Sequence, residues 1–206
     1  MNQKEKKEKI MFAAMALFSK KGFAGTSMKD IAIKAGIGKG TTYEYFKGKD
    51  QLFFATFEWF IEYSENIAKK SISSNEAASC EEKLRLFSQS VLDALKDSEE
   101  FYPLILEFWA ASASSKYRDK IKEIFKMFYQ KIGRILISII NQGIENKEFY
   151  DQIDVDSIVP GIAGAWDAIG LQAWFYYEDN NGFDIAKTMT GFTDLIIRGL
   201  KNKQKT

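Results

Sequence analysis

Between residues 39 and 49 this sequence concentrates hydroxyls and cations. Lys39, Thr41, Thr42, Tyr43, Tyr45, Lys47 and Lys49 lie within three turns' worth of chain. Such groups bond phosphate oxygens, and some of them can reach base edges in a DNA groove. Other chemistry is closed off. The chain has no histidine, which excludes imidazole-based nucleophilic catalysis. With no histidine and one cysteine, Cys80, no metal site is expected and no internal disulfide can form. Cys80 itself reads as a small buried or loop residue instead of a reactive thiol. No catalytic constellation and no cofactor motif stands out, so binding, not an enzyme reaction, is the expectation.

These side chains must be held by the elements around them. Thr26 and Ser27 offer hydroxyls to start a helix, and Asp30 puts a negative charge in its first turn. Ile31 and Ala35 share one face, with Ala32 beside them. Gly36 suits the helix stop and Gly38 the following turn. A second short helix is expected over about Lys39–Tyr45, closed by an inward Phe46. Two short helices across a glycine-containing turn form a helix-turn-helix, whose second helix enters the major groove. Spacing alone fits an ordinary helical hairpin equally well. The polar composition of the second helix favours the DNA reading, because a hairpin built only for packing does not need it.

The stretch LFSKKGFAGTSMKDIAIKAGIGKGTTYEYFKGKDQLF resembles the TetR family of one-component transcriptional regulators. The matching positions include Phe18, Gly22, Phe23, Thr26, Ser27, Ile31, Ala32, Ala35, Gly36, Lys39, Gly40, Thr41, Tyr43, Tyr45, Phe46, Lys49 and Leu52. The likeness covers the first quarter of the chain. It implies DNA contacts from Thr26, Ser27, Lys39, Gly40, Thr41, Tyr43, Tyr45 and Lys49, with Tyr43 and Lys49 holding phosphates. Thr42 stands where the family often has a larger apolar residue, and Glu44 is acidic. Those departures leave the operator sequence open.

The whole chain reads as all-α, with about nine helices. Its 206 residues are 46% hydrophobic and 28% charged, with two prolines. Residues 1–50 hold 11 lysines against 5 acidic residues, whereas the remainder is net acidic. A basic head on an acidic body fits DNA binding by the head. The expected division is a helix-turn-helix domain over residues 1–48 and an effector-binding and dimerisation domain over 49–206. No signal peptide and no membrane span is visible, so a cytoplasmic protein is expected. Helices are expected over about Gln3–Lys21, Lys49–Lys70, Cys80–Lys96, a short one starting near Pro103, a long run ending near Asn146, Val155–Tyr177 and Phe183–Lys201. Small residues from Ala110 to Ser115 read as a turn, and Ser71–Ser79 as a loop.

The resemblance implies two further sites in the body. One is an effector pocket for a small hydrophobic molecule, with Phe87, Val91, Ile105, Phe108, Trp109, Phe125, Phe128, Tyr129, Trp166 and Asp167 as its lining. Aromatic residues at these spacings more often form a core. The other is a homodimer interface between the last two helices and their counterparts, through Gly161, Gly164, Ala168, Leu171, Phe192, Leu195 and Ile196. The glycines could instead admit bulky neighbours within the chain. Glu107 and Asp167 are carboxylates in apolar windows. Burying a charge is costly unless it is paired, so each must turn outward or serve something. The partners implied are a palindromic double-stranded operator, a small effector and a second copy of the chain. Activation in place of repression, or DNA binding with no effector, stays open.

Overall fold

The structure is a computed structural model that describes residues 2–73, 78–97, 101–114, 116–176 and 183–201. Among these residues the chain forms nine α-helices. They are α1 (Gln3–Lys21), α2 (Met28–Ala35), α3 (Lys39–Tyr45), α4 (Lys49–Ser73), α5 (Cys80–Asp97), α6 (Tyr102–Ser114), α7 (Arg118–Glu145), α8 (Val155–Phe175) and α9 (Ile185–Leu200). The all-α expectation holds. α1 and α3 begin and end where the side-chain pattern puts them. The middle of the loop expected over Ser71–Ser79, and also Ser98, Ser115 and Tyr177, lie outside the described residues.

Caps explain the boundaries. Ser27 and Asp30 form a reciprocal capping box, with the Asp30 N–H donating to Ser27 Oγ and the Ser27 N–H to Asp30 Oδ2, both at 3.2 Å. Gly36 closes α2 in the left-handed region at φ 64°. The turn expected at Ala110–Ser115 is absent up to Ser114, because α6 runs through it. Alanine is the best helix former and serine a tolerable one, and no glycine or proline stands there to stop the turn. The Ser112 hydroxyl donates back to the Trp109 carbonyl at 2.7 Å and stays inside the helix. Pro160 lies inside α8. Its missing N–H leaves one carbonyl of the preceding turn without its usual donor.

The chain divides into two compact units, Met1–Glu62 with Ser98–Phe125 and Tyr63–Asp97 with Lys126–Thr206. The first unit therefore holds α1, α2, α3, α6 and the first part of both α4 and α7. Ile10, Ala14, Leu17 and Phe18 of α1 are buried against this unit's core, as their helical spacing predicts. At its centre Phe108 stacks on Phe53 and Phe57, with ring centroids 4.0 and 4.4 Å apart.

The second unit buries Leu84, Phe87 and Leu92 of α5 with Leu136 and Ile140 of α7, Trp166 of α8, and Met189 and Ile197 of α9. Removing a ring such as Phe87 from a core of this kind costs about 3–5 kcal/mol. Polar pairs fix the helices' registers. The Ser88 and Thr193 hydroxyls meet at 2.6 Å inside the core, while Arg85 pairs with Asp194 at 2.5 Å. A single antiparallel bridge joins Phe149 to Lys201, and the Tyr150 N–H donates to the Leu200 carbonyl at 2.8 Å. Cys80 is buried, and burial together with Glu148 pushes its thiol up to about 11. It is the inert, structural thiol that its place in the pattern indicates.

Candidate nucleic-acid interface and the groove of the second unit

The short helix α3 has two faces. Thr42 and Phe46 turn inward, and Thr42 is fully buried with its hydroxyl donating to the Gly38 carbonyl at 3.2 Å. Lys39, Gly40, Tyr43 and Glu44 are exposed, and Thr41 and Tyr45 are half-buried. Residues 39 and 43, and likewise 40 and 44, are one helical turn apart, so they form one outward surface. Apart from its own helix backbone and chain neighbours, nothing among the described residues lies within 4 Å of where a Cβ on Gly40 would stand. A glycine inside a helix costs roughly 0.5–1 kcal/mol against alanine. No neighbour in the chain requires that cost here.

Three of the expected contacts are engaged inside the chain. Thr26 is 3% exposed, and its hydroxyl donates to the Leu17 and Gly22 carbonyls at 3.2 and 2.9 Å. Its side chain ties down the end of α1. Ser27, next to it, spends its hydroxyl on the α2 cap and remains exposed. Lys49 donates to the carbonyls of Phe23 and Thr26 at 2.6 and 2.8 Å and lies 4.4 Å from the centroid of the Phe23 ring. A phosphate contact by Lys49 would have to be shared with those bonds.

The second unit contains a groove of about 660 Å³ between α7 and α8. Ile137, Val159, Pro160 and Ala163 make its walls apolar, and Tyr129, Gln130, Arg134 and Asp156 add polar groups. Arg134 is exposed and finds no ion pair or hydrogen-bond partner among the described residues. Tyr129 donates its hydroxyl to Asp167 at 2.5 Å. Burial pushes the Asp167 carboxyl up, and the Tyr129 bond offsets this only in part. Burial and the neighbouring carboxylate likewise hold the Tyr129 proton more firmly than usual.

The residues expected to line an effector pocket fall into both units. Ile105, Phe108, Trp109 and Phe125 belong to the first, where Phe108 is core and Trp109 is half-exposed against Phe125. Phe87, Val91, Phe128, Tyr129, Trp166 and Asp167 belong to the second. There Phe87 packs on Trp166 at 5.5 Å, and of these six only Tyr129 lines the groove. The Trp166 indole N–H is buried and has no acceptor among the described residues. Of the residues expected at a dimer interface, Gly161, Gly164, Ala168 and Leu195 are exposed and Leu171, Phe192 and Ile196 half-buried. Gly164 also lines the groove. Sequence reasoning did not find Arg134, since it is one cation among many on the polar face of a long helix.

Both apolar-window carboxylates serve the chain itself. Asp167 accepts from Tyr129, and Glu107 accepts the Phe23 N–H on both oxygens, at 2.9 and 3.0 Å.

Residues 10–56 match the family model described as bacterial regulatory proteins, tetR family, and residues 60–199 match that of the YsiA-like protein, C-terminal region. The chain is 26% identical over 208 residues to a fatty acid metabolism regulator protein of Bacillus subtilis, covering 98% of this chain and 100% of the relative. In fold it is similar to the fatty acid degradation regulator FadR of Bacillus halodurans, with a TM-score of 0.77 at 19% identity over 98% of this chain and 99% of that one. It is also similar to FadR of Bacillus subtilis in complex with stearoyl-CoA, with a TM-score of 0.72 at 20% identity over 94% and 98% of the two chains. No described helix is long and apolar enough to cross a membrane.

Proposed function

We propose, because this chain belongs to the tetR family of bacterial regulatory proteins, that it is a homodimeric repressor released from a palindromic operator by a long-chain acyl-CoA. The coarser statement stands by itself: the chain is a DNA-binding transcriptional regulator and not an enzyme. The observation that carries the DNA reading to named residues is the exposed face of α3. Lys39, Gly40, Tyr43 and the half-buried Thr41 and Tyr45 are its contacts, with Ser27 and Lys49 beside them. The open space at Gly40 supports close approach of a backbone from outside the chain. Functionally, residues 1–48 act as the head and residues 49–206 as the effector-binding and dimerising part. The setting is the cytoplasm, where the DNA is.

The effector class rests on the second unit. The groove is mostly apolar, and its Arg134 guanidinium, which has no partner among the described residues, can take the anionic end of an amphiphile while Asp156 marks the acidic side of the same lining; a relative of the same fold holds stearoyl-CoA. Exposed Gly161, Gly164, Ala168 and Leu195 support pairing through α8 and α9. An effector releases DNA only if it binds the DNA-free conformation better. Linkage then requires operator DNA to weaken acyl-CoA binding by the same factor.

The test selects bound DNA from a random pool, footprints it and titrates stearoyl-CoA with and without it. A two-fold symmetric footprint with half-sites about 34–36 Å apart or more is expected, with affinity falling as stearoyl-CoA rises. A footprint over one asymmetric half-site removes the dimeric reading. Stearoyl-CoA that binds equally with and without operator is not the effector. Transcription that rises with operator occupancy makes the protein an activator.

A further inference from the structure

We infer that Glu107 is a positioning residue for operator binding: from α6 it holds the loop that sets α2, and through α2 the recognition helix α3, in their reading orientation. The inference rests on the DNA-binding reading. α1 ends at Lys21, and the Gly22 N–H still caps it by donating to the Phe18 carbonyl at 2.8 Å. The Phe23 N–H is the next amide and has no acceptor in α1. Both Glu107 oxygens take it, across 84 residues of sequence. Bonds to a charged acceptor are about twice as strong as neutral ones. Glu107 has no cation paired with it among the described residues, so this amide is what its charge serves.

The opposite side of the same residue is held by Lys49, whose ammonium bonds the Phe23 carbonyl and lies over the Phe23 ring. The ring packs against Phe53 at 4.7 Å and Phe18 at 5.8 Å. Lys49 also bonds the Ala24 and Thr26 carbonyls, and the Thr26 hydroxyl holds those of Leu17 and Gly22, just ahead of the Ser27 cap. Gly22 makes the approach of Glu107 possible, because its φ of 70° is one that side-chain-bearing residues rarely adopt. Glu107 is itself placed by its neighbour Phe108, fully buried between Phe53 and Phe57. The loop is thus gripped by an anion on α6 and a cation on α4. A shift of α6 relative to α4 must either pull the Phe23 amide or break its bond.

The test compares the wild-type protein with Glu107→Gln, which keeps one acceptor, and Glu107→Ala, which keeps none. Three quantities are read: affinity for an operator selected by the wild type, affinity for a random duplex at low salt, and amide exchange of the segment 22–26. Operator affinity and Phe23 protection should fall in the order wild type, Gln, Ala, with the alanine variant down about tenfold or more. Random-duplex affinity, which depends on charge and not on alignment, should not fall, since both variants remove a negative charge. If the alanine variant does not fold, the glutamine variant decides: a partial loss of operator affinity with no loss of random-duplex affinity is expected. A glutamine or alanine variant matching the wild type in operator affinity overturns the inference, as does parallel loss of both DNA affinities. A wild type that enriches no sequence from the pool overturns the DNA-binding reading with it.

Discussion

The loop before α2 and the groove between α7 and α8 use polar groups in opposite ways. In the loop, Phe23 bonds through both its N–H and its carbonyl, and Thr26 through its hydroxyl and its carbonyl, all to partners inside the chain. In the groove, the Arg134 guanidinium has no such partner among the described residues and stands in a mostly apolar lining. A segment whose task is to hold a geometry consumes its hydrogen-bonding capacity internally. A surface whose task is to receive another molecule keeps some unspent. The loop should therefore respond to substitution through folding and alignment, and the groove through binding.

The largest effect is expected at Gly25. A Cβ there would stand 2.3 Å from the Lys21 carbonyl oxygen, which is backbone and cannot rotate away. Gly25→Ala should destabilise by about 1–3 kcal/mol, the usual cost of overpacking, and should abolish tight operator binding. Calorimetry and a binding titration check both. An unaltered thermal midpoint would show that the loop is not as tightly determined as its bonds indicate.

Lys49→Met comes next. Removing the ammonium leaves the Phe23 and Thr26 carbonyls without that donor, so operator affinity should fall about tenfold. The salt dependence separates two roles for this lysine. A slope reduced by about one unit means that Lys49 also neutralises a phosphate. An unchanged slope makes it purely a loop clamp.

Gly164→Leu probes the groove side. No side chain or other element among the described residues lies within 4 Å of the added Cβ, so the protomer should lose no stability and should gain about 0.5–1 kcal/mol from replacing a mid-helix glycine. Stearoyl-CoA binding or dimerisation should weaken instead, measured by titration and by sedimentation. A variant with normal dimerisation and normal ligand binding would remove this face from both roles.

The smallest effect is expected from Asp167→Asn, and it is a matter of pH. The folded carboxyl titrates above its unfolded counterpart, because burial disfavours its charge. Its stabilising contribution is full below the ordinary aspartate pKa and is lost as pH rises through the raised folded value. Asparagine keeps an acceptor for Tyr129 and carries no charge. The variant should match the wild type in acid and be the more stable of the two at neutral pH. Thermal midpoints across pH 3–8 decide it. A variant less stable at neutral pH would mean that the ionised pair with Tyr129 outweighs its desolvation.

The head was the most legible part of this sequence, for local reasons. Ser27 and Asp30, Gly36 and Phe46 sit within a few residues of the boundaries they set, so type and spacing suffice. Adjacent Thr26 and Ser27 show the limit: either hydroxyl could cap, and only the backbone path decides that Ser27 does while Thr26 turns inward. Glu107 was recognisable as a carboxylate that must serve something. Its partner, Phe23, was not, because contact across the fold leaves no trace in local spacing. The aromatic residues of the body illustrate the same limit. Phe87 and Tyr129 have the same kind of helical neighbourhood, yet one fills a core and the other lines a groove.

The order in which the two units become complete along the chain has a consequence for synthesis. The first unit is made of residues no later than 125, whereas the second takes in α9 and closes with the bond from the Tyr150 N–H to the Leu200 carbonyl. A ribosome delivers residues in sequence, and units tend to fold as they emerge. The DNA-reading part can therefore mature while the segment 63–97, already made, waits for helices not yet translated. That waiting segment exposes Leu84, Phe87 and Leu92, an apolar stripe suited to capture by a chaperone. Nascent chains with residues through about 150 outside the exit tunnel should resist protease over α1–α3 and be cut within α5. Equal protection of both regions at that length would show that α5 finds a temporary shelter of its own.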